Sequence, residues 1–236
     1  MKKKVVLFDI DGTILNVDGK VAYGIFVDVI SEVFGVDVSE SLPSFHGKTD
    51  LQILSEIFDR HHISNGSEKI QILWQKLYDK FSKKLSDENI NLLPGIKEFL
   101  KLIHSRDDYL LGLVTGNFRR NAYLKLRVKE LDSYFNFGTF GCDDFDRNVL
   151  PDIAISRAIE SNLIPHDFDV KNSIIIGDTH RDVECARSCG MPVVAVATGK
   201  ASVKDLSAAS PDYLFENLSN YNEIFNTLEN HFDSVK

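Results

Sequence analysis

Val5-Val6-Leu7-Phe8-Asp9-Ile10-Asp11-Gly12-Thr13 is the stretch on which the reading of this chain turns. Four consecutive apolar residues without polar alternation fit a strand buried on both faces of a parallel sheet. The run stops at Asp9, and Gly12 permits a turn that a side chain would obstruct. Two carboxylates two residues apart therefore leave the carboxyl end of the strand together. Asp and Gly also end strands for purely structural reasons, so the chemistry must be argued from the rest of the chain.

Further apolar runs follow at Tyr109 to Val114, Phe135 to Phe140, Ser173 to Ile176 and Val193 to Val196, with a shorter one at Tyr213 to Phe215. Helical spacing lies between them, in Ile96, Phe99, Leu100 and Ile103, in Ile153, Ala154, Ala158 and Ile159, and in Tyr221, Ile224, Phe225, Leu228 and Phe232. Strands alternating with helices predict an α/β fold with a doubly wound parallel sheet, whose binding crevice lies at the carboxyl ends of the strands. The stretch from 16 to 92 breaks this rhythm. It carries three apolar stripes of helical period, through Val21, Ile25 and Val29, through Leu51, Leu54 and Ile57, and through Ile70, Leu73, Trp74, Leu77 and Phe81, with no convincing strand. The expected organisation is a core of residues 1–15 and 93–236 with a helical insert over 16–92, closed by the turn dipeptide Pro94-Gly95. Trp74 reads as packing.

Composition narrows the class. A chain of 236 residues with 43% hydrophobic residues can bury a full core and a second small unit. The formal charge of -8 disfavours a nucleic-acid partner. The few apolar residues before Asp9 are too short for a signal peptide or a membrane span. Three cysteines without paired spacing suit reduced thiols, hence a cytoplasmic protein, as monomer or homodimer.

Two more strand ends carry polar groups. Thr115-Gly116-Asn117 places a hydroxyl and backbone N–H groups at a strand-to-helix turn, a ready anion cradle, although Thr and Asn are also ordinary helix caps. Gly177-Asp178-Thr179-His180-Arg181-Asp182 offers Asp178 as a ligand for a hard cation such as Mg²⁺. Asp182 fits either a capping box with Thr179 or support of the metal. A pair such as Asp9 and Asp11 suits phosphoryl transfer, one carboxylate attacking phosphorus while the other moves protons.

Asp-x-Asp, Thr-Gly-Asn and Gly-Asp-Thr-x-x-Asp, in that order, resemble the motifs of the haloacid-dehalogenase-like superfamily across essentially the whole chain. The resemblance implies that Asp9 is the nucleophile, Asp11 the general acid/base, Thr115 the phosphate-binding hydroxyl with Gly12, Gly116 and Asn117 around it, and Asp9, Asp11, Asp178 and Asp182 the Mg²⁺ site. The insert corresponds to the family's helical cap. The tail from Gly190 to Glu216 is similar to the phosphoglycolate-phosphatase-like branch. That branch implies hydrolysis of a small phosphorylated metabolite through an aspartyl-phosphate. A phosphomutase of the β-phosphoglucomutase type and a silent binding module are the alternatives. The branch places a Lys where this chain has Asn148, which leaves Arg147 as the available cation. In the insert, His46-Gly47-Lys48-Thr49-Asp50 interrupts the helical stripes. Thr49 or Asp50 can cap a helix, while Lys48, and less so His46, are candidates to contact the substrate.

Overall fold

The computed structural model describes residues 3–64 and 66–235. The opening apolar run forms β1 (Lys4–Phe8), and its buried side chains sit between neighbours on both sides. The chain then makes β2 (Leu15–Val17), helices α1 (Gly19–Phe34), α2 (Asp50–Arg60) and α3 (Ile70–Lys84), and β3 (Ile90–Leu92). After these come α4 (Ile96–His104), β4 (Tyr109–Val114), α5 (Arg119–Val128), β5 (Phe137–Thr139) and α6 (Leu150–Glu160). The last part consists of β6 (Ser173–Gly177), α7 (His180–Ser188), β7 (Val193–Val196), α8 (Val203–Ala208), β8 (Tyr213–Phe215) and α9 (Tyr221–Ser234).

Six strands form one parallel sheet in the order β5-β4-β1-β6-β7-β8. Order runs outward in both directions from β1, so the crevice of a doubly wound sheet opens at the carboxyl end of β1 between β4 and β6. Asp9 occupies that position. Its amide is bonded to the Ile176 carbonyl at 3.0 Å, which fixes the strand end in register with β6. Below it, Phe8 meets Phe99 and Phe135 edge-on, with ring centres 6.2 and 5.8 Å apart, a geometry that favours aromatic pairs.

The stripes of the 16–92 stretch become α1, α2 and α3. Asp18 caps α1 through the Lys20 and Val21 amides, and Gly35 ends it in the left-handed conformation. Ile25, Phe26, Val29 and Ile30 face Leu73, Trp74, Leu77 and Phe81 in one apolar core. Trp74 is buried and stacks flat on Phe118 at 4.6 Å, so it packs. The expectation that this stretch holds no strand is corrected: β2 and β3 pair antiparallel, Leu15 opposite Leu92 and Val17 opposite Ile90. Three residues are too few to display a period of two. The run from Phe135 to Phe140 is also shorter than expected, because β5 pairs with β4 only from Phe137 to Thr139.

Candidate active site

β1, β4 and β6 end side by side, and each supplies part of one buried polar cluster. Asp9, Asp178 and Asp182 each offer a carboxylate oxygen within 4.8 Å of the others, and all three are buried. Burial, with repulsion from Asp182 and then Asp9, pushes Asp178 up to about 9. Burial likewise raises Asp9 to about 6, against the lowering pull of Arg147. Carboxylates forced together in a dry pocket want a cation. Gly12 shows how tightly the turn closes on them: its φ is +92°, and a Cβ there would lie 2.2 Å from Asp178 Oδ2. Thr13 Oγ donates to Asp178 Oδ1 at 3.3 Å and orients it.

The same observation bears on Mg²⁺. Hard oxygen donors, their crowding and their raised pKa values fit a small divalent cation at Asp9 and Asp178. Asp182 is largely committed elsewhere. Its Oδ2 accepts from Thr179 N at 2.9 Å and Thr179 Oγ at 2.7 Å, and its Oδ1 accepts from Arg147 at 2.5 Å. These bonds fit the capping reading of Asp182: one oxygen braces the start of α7, and the other holds the cation that faces Asp9.

That cation is Arg147, which is buried and lies 3.4 Å from Asp9 Oδ1. Burial works against its charge, but Asp182 and Asp9 more than offset this and raise its pKa. Asn148 is exposed and takes part through its backbone, the amide donating to Asp146 Oδ1 at 2.9 Å and the carbonyl accepting from Ser188 and Cys189.

Thr115 accepts from the Asn117 amide group at 2.8 Å, which leaves its own hydroxyl proton free for an anion. Asn117 also donates to Asp11 Oδ2 at 2.7 Å. Gly116 is pressed against the helical segment, since a Cβ would stand 2.0 Å from the Lys48 carbonyl oxygen. The start of α2 is bonded onto this loop: Asp50 N donates to Gly116 O at 2.7 Å, Leu51 N to Gly141 O at 3.3 Å, and Asp50 Oδ2 accepts from Phe118 N at 2.6 Å. Thr49 is the cap of α2, in a capping box with Gln52, while burial raises Asp50 to about 6.

A cavity of about 600 Å³ lies between the helices and the strand ends. Lys48 and His46 both line it. The Lys48 ammonium is paired with Glu56 at 2.5 Å, so it offers donors with little net charge, and His46 is exposed.

Lys125 was not singled out by the sequence. Its buried ammonium sits 2.6 Å from both Asp11 Oδ2 and Asn117 Oδ1. The available signal was spacing: Asn117, Asn121 and Lys125 recur every four residues beside the apolar Ala122 and Leu126, which puts Asn121 and Lys125 on one face of α5.

With this geometry in view, residues 6–196 match the family model described as haloacid dehalogenase-like hydrolase, and the chain belongs to that family. Pyrophosphatase PpaX of Listeria welshimeri is 25% identical, over 92% of this chain and 94% of its own length. Phosphoglycolate phosphatase of Vibrio vulnificus is 23% identical, over 92% and 93%. The solved structure of a β-phosphoglucomutase from Clostridium difficile superposes with a TM-score of 0.69 at 18% identity, over 100% of this chain and 99% of that one. Among the described residues, no helix is long and apolar enough to cross a membrane.

The raised carboxyls make stability depend on pH. A carboxyl whose folded pKa exceeds its unfolded value near 4 binds more protons in the folded state, so without a cation stability falls as pH rises from there towards about 9. A cation at the cluster favours the ionised form. The Mg²⁺-induced rise in Tm should therefore be small at about pH 5.5 and clearly larger at about pH 8. Thermal melts with Mg²⁺ or with chelator at both pH values check this. An equal Mg²⁺ effect at both would argue that Asp9 and Asp178 are not where the ion binds.

Proposed function

We propose that the protein is a Mg²⁺-dependent phosphatase that hydrolyses a small phosphomonoester through an aspartyl-phosphate on Asp9. The observation that carries this is the buried set of Asp9, Asp178, Asp182 and Arg147 at adjoining strand ends, opening on a cavity of about 600 Å³. Asp9 and Asp178, with the backbone carbonyl of Asp11, would hold Mg²⁺, which offsets charge between nucleophile and substrate. Asp9 attacks phosphorus and the bond to the leaving oxygen breaks. Asp11 gives that oxygen a proton, then takes one from water, whose attack on the acyl phosphate frees phosphate and restores Asp9. Lys125 and Asn117 hold Asp11 Oδ2, leaving Oδ1 for the proton transfers. Arg147 and the Thr115 hydroxyl suit the charge on phosphate, with the turns at Gly12 and Gly116 admitting the phosphoryl group close to backbone. Lys48, and secondarily His46, are proposed to contact the substrate from the helical segment, which in this reading is a cap over a core of residues 1–15 and 93–236. The thiols of Cys142, Cys185 and Cys189 are free, in keeping with a cytoplasmic enzyme.

Release of phosphate from p-nitrophenyl phosphate, with and without Mg²⁺, tests the reading. No Mg²⁺-dependent release there or from a panel of phosphorylated metabolites would sink it, and an isomerised product without free phosphate would mark a mutase. Asp11→Asn supplies a finer test. An alkoxide leaving group needs a proton far more than p-nitrophenolate does, so the variant should lose more activity on alkyl than on aryl phosphates. Equal losses would mean that Asp11 acts through metal geometry or structure.

A further inference from the structure

The far wall of the cavity is built for something other than a second anion. Phe26, one of the side chains lining it, lies 4.8 Å from Phe45 and 6.3 Å from Phe81, ring centre to ring centre, and Ile53 extends the same apolar surface. Three cations on the lining already have partners: Lys48 with Glu56, Lys125 with Asp11, and Arg147 with Asp182 and Asp9. Lys200 also lines it but is exposed, where salt screens it. The volume, about 600 Å³, lies within the range that encloses drug-sized ligands and exceeds what a glycolate or second phosphate fills.

Two buried polar atoms on this lining lack a hydrogen bond, Arg147 Nε beside Asp9 and, on α5, Asn121 Oδ1. Asn121 is 2% exposed, and its Oδ1 is buried without a hydrogen bond. Its neighbour one turn along α5, Lys125, donates to Asp11 and Asn117 and not to it. Native folds seldom leave a buried acceptor empty, and an acceptor on a residue that lines a cavity can take its donor from a ligand that settles against it.

We infer that the alcohol half of the substrate is an uncharged aromatic or similarly flat apolar ring that carries a hydroxyl or amino group. The ring packs on Phe26, Phe45, Phe81 and Ile53, and its donor reaches Asn121 Oδ1. This rests on the phosphatase reading and narrows it: the substrate resembles neither pyrophosphate nor phosphoglycolate in the part that leaves.

Binding can be separated from turnover with the Asp9→Asn protein in Mg²⁺, titrated calorimetrically with benzyl phosphate, meta-hydroxymethylbenzyl phosphate, phosphoglycolate and pyrophosphate. Benzyl phosphate should bind roughly tenfold or more tighter than the two small anions, and the added hydroxyl should gain about another five- to tenfold. Adding Asn121→Leu should erase the hydroxyl's gain, with Asn121→Ala as the second variant should the Leu protein not fold. Phosphoglycolate or pyrophosphate binding as tightly as benzyl phosphate would overturn the inference, as would a hydroxyl gain that survives loss of the Asn121 amide. Wild-type turnover on the same esters and p-nitrophenyl phosphate is read alongside. No release from any of them removes the phosphatase reading, while the binding order still decides what the wall accepts.

Discussion

Asp9→Asn should abolish turnover, by about four orders of magnitude or more, equivalent to ~5 kcal/mol or more of lost transition-state stabilisation. The substitution keeps shape and removes the attacking charge. It should not cost the fold. Asp9 is held at its strand end by a backbone bond to Ile176, and it is one of three buried carboxylates that repel one another. Removing one charge from that group offsets the loss of the 3.4 Å approach of Arg147, so without Mg²⁺ the variant's Tm should match or exceed that of the parent. Wild-type protein treated with beryllium fluoride should carry its adduct on Asp9. Appreciable turnover by the Asn protein, beyond what deamidation supplies, would sink the nucleophile assignment.

Arg147→Ala should lower the rate by one to three orders of magnitude, about 1.4 to 4 kcal/mol, as expected for one preorganised charge facing the reacting group. This variant should also be less stable, by about 3–5 kcal/mol, because Asp182 and Asp9 would stay buried with no cation between them. Arg147→Lys separates the two effects, since it restores a charge without the planar fork. It should recover most of the stability and part of the rate. Asn148→Ala should change neither much, its side chain being exposed. A crippled Asn148 protein beside an unaffected Arg147 protein would reverse the assignment.

What could be read from the residues was whatever has a local signature. The strands around β1 announce themselves because a strand buried on both faces must be apolar throughout, and Ser173–Gly177 is as continuous as Lys4–Phe8. The stripes of α1, α2 and α3 are equally plain. Asp9, Asp178 and Arg147 sit at strand or loop ends flanking such runs, and the fold brings them together. The pairs that escaped notice have no local mark. Lys125 reaches Asp11 across 114 residues of sequence, and Thr198 reaches the Gly12 carbonyl across 186. A lysine on an amphipathic helix ordinarily reads as a solvated side chain, whereas this one is buried against Asp11 and Asn117 by the tertiary fold. The pairing of Lys48 with Glu56 was hidden for another reason, because the residues lie on either side of the α2 cap.

The short ribbon of β2 and β3 has a consequence for how such a protein can change over evolutionary time. Leu15 and Leu92 face each other across an antiparallel pair, so the excursion from 18 to 89 departs and returns at points only about 5 Å apart. A chain segment whose ends already meet imposes no span on the frame that carries it, and lengthening it adds only a slowly growing closure entropy. The helical excursion can therefore be enlarged, shrunk or exchanged for another while β1 and β6 keep Asp9 and Asp178 in register, so that under the proposed function the choice of substrate could drift independently of the machinery that attacks it.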